Sequence, residues 1–147
     1  MAPPRWLTTA SVTLLAVWST GCGAKDGPAP NGAELTGISH GDTVTSPFTV
    51  GMQAEGIDIV AAGDPTPGEG HFHILVDAPC VTGGAVIPDG DAFVHFDNGE
   101  TEAELNLEPG EHWLCLQVGD GAHTALAPPR SGPVADLTHE IEITVKD

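Results

Sequence analysis

Basic side chains are scarce in this chain: four Lys and Arg face 21 Asp and Glu, for a formal net charge of −17. So acidic a surface repels phosphate backbones, and nucleic acid is not an expected partner. It also repels an anionic bilayer surface. Tyrosine is absent while histidine occurs seven times, so polar ring chemistry falls to imidazole. Only three cysteines are present, Cys22, Cys80 and Cys115, and no two are close in sequence. That spacing argues against a cysteine-ligated zinc site. The chain has no apolar run of the ~20 residues that a bilayer span needs. It also lacks a nucleophile elbow, a phosphate-binding glycine loop and a recognisable pair of glycosidase carboxylates. An enzyme is therefore not expected, although an open metal site could be catalytic.

The N-terminal residues differ from the rest. Arg5 is the only charged side chain before Cys22, and a short apolar stretch runs from Trp6 to Trp18. A basic start, a short apolar core and small residues at the end describe a secretory signal over residues 1–21. Ser19-Thr20-Gly21-Cys22 resembles the bacterial lipobox, with Ser19 where Leu is usual. Cys22 is the expected lipidation site and new N-terminus; ordinary cleaved secretion is the alternative. Residues 22–33 are rich in Gly and Pro and read as a flexible tether. Residues 34–147 form the expected single domain, exported to the cell envelope and held to a membrane by the lipid. All 21 acidic residues stay in the mature chain, against Lys25, Arg130 and Lys146. In an oxidising compartment Cys80 and Cys115 are expected to form a disulfide.

From Leu35 onward, short apolar-alternating runs are separated by Gly-Asp, Asp-Gly, Asn-Gly and Pro-Gly turns. Phe48, Val50 and Met52 share one parity, as do Phe72, Ile74 and Val76. Ala103, Leu105 and Leu107 form another such set, followed by Leu114, Leu116 and Val118, then Ile141, Ile143 and Val145. Period two marks strands with one buried face, and no segment sustains a helical period. The expected fold is all-β, an immunoglobulin-like sandwich of about six to eight short antiparallel strands. A small barrel is the alternative. Two long loops, 61–69 and 119–134, are candidates for function.

His71 and His73 sit two apart on a strand, so they share a face, with Cα atoms ~6.5–7 Å apart. Phe72, Ile74 and Val76 claim the other face for the core. The two imidazoles are therefore expected to point outward or into a cleft. A strand His-x-His is one way to present two nitrogen ligands, and solvated side chains are the plainer reading. His95 shares a face with Phe93 on a second strand, and His123 follows in the loop after Val118. His71, His73, His95 and His123 are the candidate ligand set. His112 is a further candidate, or a residue at the core edge. His40 and His139 read as surface residues, and Met52 as core. Asp77 and Asp120 are either partners that orient imidazoles or turn caps. Imidazole ligands suit copper or zinc.

Several blocks together resemble the DUF4399 family of small exported bacterial domains. They are Gly41–Val50, Gly70–Asp77, Pro109–His112, Gly119–His123 and the terminal Ile-Thr-Val, and the likeness extends from Leu35 to Lys146. The usual run of that family is Gly-His-His-His. His71 and His73 match its outer histidines, and Phe72 departs at the middle, where its parity points inward. His95 and His123 also fall at the family's histidine positions. The resemblance implies an exported β domain with a shared histidine face and no established reaction. The strand pair is also similar to the copper-ligand strand of copper/zinc superoxide dismutases, by analogy alone. Two functions stay open: a non-catalytic interaction or structural module of the envelope, or a copper- or zinc-binding accessory protein.

Overall fold

The computed structural model describes residues 32–127 and 137–147. The expected signal, Cys22, nearly all of the tether and the prolines of the second long loop lie outside them. Ordered strand begins at Ala33, which the sequence placed in the tether; it is buried as the first residue of β1 (Ala33–Thr36).

Among the described residues there are nine strands and no helix. The first sheet orders β1, β3 (Phe48–Ala54) and β7 (Glu102–Leu105), all antiparallel. The second runs β2 (Thr43–Thr45), β9 (Thr138–Lys146), β8 (Gly110–Gly119), β5 (Glu69–Val76) and β4 (Asp58–Ile59). There β6 (Phe93–His95) shares the β4 edge of β5, farther along the strand. This is the all-β, immunoglobulin-like class: β1, β3 and β7 stand where strands A, B and E do, and β5, β8 and β9 where C, F and G do. Two details differ from a wholly antiparallel sandwich. β2 pairs with β9 and β4 with β5 in parallel, each over only two or three residues. Such brief edge pairings carry too little hydrophobic pattern to be read from sequence.

The apolar parities meet between the sheets as expected. Leu35, Val50, Met52, Ala103 and Leu105 from the first sheet pack against Phe72, Ile74, Leu114, Leu116, Val118, Ile141, Ile143 and Val145 from the second. Met52 belongs to this core. The second sheet is unusual in its middle, because β5 is buried on both faces from Gly70 to Leu75. Its outer face is roofed by residues 77–91 and 120–126. A second, smaller core of Leu75, Ile87, Cys115 and Ala125 lies under that roof.

Two side-chain devices fasten the roof. Cys80 and Cys115 form the expected disulfide, with Cα atoms 5.6 Å apart and a sequence separation of 35. One residue pair on, the Gln117 amide grips both backbone groups of Val81, accepting from its N–H and donating to its carbonyl. The bridge thus pins a loop to the outside of one sheet, rather than joining the two sheets as in antibody domains.

Candidate metal centre

Strand register builds the site. On the outer face of the second sheet, His71 lies opposite Gly119, and His73 is flanked by His95 and Gln117. The next row holds Phe93, Leu75 and Cys115. Alternation places His71, His73 and His95 on one face, as expected. That face is not solvent-facing, however: His71 and His73 are fully buried. The pattern of β5 alone shows only which residues oppose Phe72 and Ile74; the roof that covers them comes from elsewhere in the chain.

Gly119 makes the room. A Cβ there would stand 2.7 Å from His73 Cε1 and 3.2 Å from Nδ1. The fourth histidine comes from the roof. His123 adopts φ of 62°, a left-handed conformation uncommon outside glycine. A tight turn holds it there. The His123 N–H donates to the Asp120 carbonyl, and the Asp120 carboxylate accepts from the N–H groups of Ala122 and Thr124. Ile87 N–H donates to the His123 carbonyl at 2.8 Å. Asp120 is therefore a turn cap.

The four rings converge on one atom. His71 Nε2 lies 3.0 Å, His73 Nε2 3.2 Å and His95 Nδ1 3.2 Å from His123 Nδ1. A single imidazole nitrogen carries one proton or one lone pair, so at most one of these three contacts is a hydrogen bond. As a hydrogen-bond network the cluster is over-crowded. As a ligand set, the three distances to His123 Nδ1 come close to the spacing of nitrogens ~2.0–2.1 Å from a tetrahedral ion, about 3.3–3.4 Å, and His71, His73 and His123 offer nitrogens all within 4.8 Å of one another.

The protonation states favour lone pairs at the centre. His95 Nε2 donates to the Pro88 carbonyl at 2.9 Å, so in the neutral ring the lone pair is on Nδ1. Burial, then the neighbouring His71, His95 and His123, push the His73 pKa down to about 3. Burial and His123 likewise lower that of His71, against the pull of Asp97. The remote Nδ1 atoms of His71 and His73 have no hydrogen-bond partner among the described residues, so the Nδ1–H that each neutral ring carries when Nε2 offers its lone pair is buried without an acceptor, a cost that the fold bears at this site.

Other candidates fall outside the cluster. His112 sits at the far end of β8, with Nδ1 2.8 Å from Asp77 and Nε2 2.8 Å from the Glu108 carbonyl. Burial works against its charge, but these two partners prevail and raise its pKa. Both of its nitrogens are engaged by Asp77 and Glu108 at the far end of β8, so His112 is not part of the set. Asp77 is its partner, and also accepts from Trp113 N–H. His40 is exposed, as expected, and His139 is half-buried; each has a backbone partner, their Nδ1 atoms accepting from the Glu142 and Leu35 N–H groups respectively. Cys80 and Cys115 come near Glu140, but the disulfide removes both thiolates. Sequence reasoning missed Asp97, whose Oδ1 lies 3.7 Å from His71 Nε2 and 3.9 Å from His123 Nδ1. Its spacing of two from His95, continuing the line of β6, was the available signal.

Sheet order and site together define an all-β sandwich domain with a four-histidine cluster on the outer face of one sheet, under a disulfide-pinned roof. The chain belongs to the family described as Domain of unknown function (DUF4399), whose model matches residues 50–146. All four clustered histidines lie within that match. No curated protein and no solved structure matches the chain.

Proposed function

We propose that this domain binds one copper or zinc ion in the cell envelope through His71, His73, His95 and His123. The observation that supports this most is the crowding of three imidazole nitrogens around His123 Nδ1 at 3.0–3.2 Å. Imidazoles crowded in this way, two of them fully buried, are costly as a hydrogen-bond network, whereas a cation among them uses the lone pairs. An all-nitrogen set suits copper or zinc, and the acidic chain draws cations toward it. The role is binding rather than turnover.

Calorimetric titration of the tag-free mature domain with Cu(II) and with Zn(II) tests the reading. The expected result is one ion per chain, lost in the His71→Ala/His73→Ala variant. Binding of both ions no tighter than in that variant would overturn it and leave the non-catalytic interaction module as the better reading.

The address is part of the proposal, with Cys22 as lipid anchor after removal of residues 1–21. Cys22→Ala is expected to shift the protein from the membrane to the soluble fraction. Unchanged partition would exclude the lipid as the attachment.

A further inference from the structure

Four neutral imidazoles supply no charge to compensate a cation, so any anionic donor beside them has a large influence on which ion is held. Three aspartates are near. Asp120 is occupied as a turn cap. Asp89 is fully exposed and lies 3.6 Å from His95 Nε2, the nitrogen turned away from the centre. Asp97 is different. Its Oδ1 faces His71 Nε2 and His123 Nδ1, both of which are convergent nitrogens. No hydrogen bond to a described residue engages its carboxylate. Its backbone is nonetheless fixed, because the Asp97 carbonyl accepts from Ala62 N–H at 2.9 Å and the preceding Phe96 N–H donates to Phe72.

Exposure rises in order across the group. The side chains of His71 and His73 are buried, His123 is 32% exposed and Asp97 54% exposed. His95, Asp97 and His123 also offer donor atoms all within 4.8 Å of one another, a second triad overlapping the buried one at His123. Adjacent donors around an ion with bonds of ~2.0–2.2 Å stand about 3–3.5 Å apart. At 3.7 and 3.9 Å from two of the nitrogens, the Asp97 carboxylate stands just outside that spacing.

Resting on the metal-binding reading above, we infer that Asp97 is the fifth donor, closing the solvent side of a four-nitrogen, one-oxygen set that selects a divalent ion, Cu(II) or Zn(II), over Cu(I). A hard carboxylate oxygen strengthens the hold on a doubly charged ion. It does little for soft, singly charged copper, which prefers sulfur ligands and low coordination.

The test compares wild type, Asp97→Asn and His71→Ala/His73→Ala, with folding checked by thermal melting. Affinities for Cu(II) and Zn(II) are read by calorimetry. Affinity for Cu(I) is read by anaerobic chelator competition, with ascorbate as reductant so that the disulfide stays closed. Asp97→Asn is expected to weaken both divalent ions about 10- to 100-fold and to leave Cu(I) affinity little changed. With Co(II) as visible probe, the wild-type spectrum is expected to be five-coordinate and that of Asp97→Asn four-coordinate. Equal loss for Cu(I) and Cu(II), or divalent affinity equal to wild type, would overturn the inference while the histidine site stood. A wild-type domain that binds none of these ions would instead overturn the metal-binding reading itself.

Discussion

The two faces of the second sheet use the same strands for opposite purposes. On the inner face, Phe72, Ile74, Leu114 and Leu116 are buried against the other sheet with no polar neighbour to satisfy. On the outer face, His71, His73 and Gln117 are equally buried, one residue out of phase. The inner face is held by burial of apolar area, which is strong and undirected. The outer face is held by a disulfide, the Gln117–Val81 clamp and specific hydrogen bonds, which fix directions at a cost in desolvation. One face holds the fold together, and the other keeps lone pairs aimed at a point.

That contrast can be broken most strongly with acid, in the metal-free protein. Unfolded His73 protonates near 6.5, whereas the folded residue stays neutral until about 3. Between those values the unfolded chain binds more protons, so stability rises with pH. The contribution is intact above 6.5 and lost as pH falls toward 3, on the order of 4–5 kcal/mol in all. His71 shifts in the same direction, with His95, His123 and the carboxylate of Asp97 facing the pair. Denaturant melts across pH 3–7 check this. A His73→Phe variant with the same pH dependence as wild type would exclude His73 as the source.

The inner face gives the complementary outcome. Phe72→Ala is expected to cost about 3–5 kcal/mol, read as a lower denaturation midpoint with unchanged slope, while Cu(II) or Zn(II) affinity of the folded fraction holds. A large loss of affinity would mean that the faces are not separable.

The smallest effect is the sharpest probe of the outer face. Gly119→Ala places a methyl group against His73 and is expected to cost about 1–3 kcal/mol. Here metal affinity should fall as well, because His73 must move. Wild-type affinity in this variant would show that the position of His73 is slack.

Much of this was legible in the residues. The parity of each strand placed Phe72 and Ile74 inward and grouped His71 with His73 on the reverse side. Cys80 and Cys115, the expected pair, form the bridge. His95 was identified by its strand, His123 by its place in the loop after Val118, and both by likeness to the family. The burial of His71 and His73 was not legible, because alternation says which residues share a face and nothing about what lies over it. The roof comes from residues 77–91 and 120–126, whose turn-rich sequence carries no period. His112 had the residue type of a ligand, but its position at the far end of β8 and its partners Asp77 and Glu108 excluded it. Asp97 had the right spacing from His95, but an aspartate in so acidic a chain does not stand out.

The sequence by itself determined the β class and the two faces of each strand, because side chains alternate with period two and apolar area drives one set inward. It also favoured the Cys80–Cys115 pair, on the expectation that Cys22 carries the lipid. Only the tertiary structure decided that four histidines from three separate segments share one atom's neighbourhood. Strand register brought His95 beside His73, and a left-handed turn in the loop after β8 brought His123 over both. Those contacts span 28 to 52 positions of chain. No local preference specifies contacts at that range; they follow from closing the roof over the sheet.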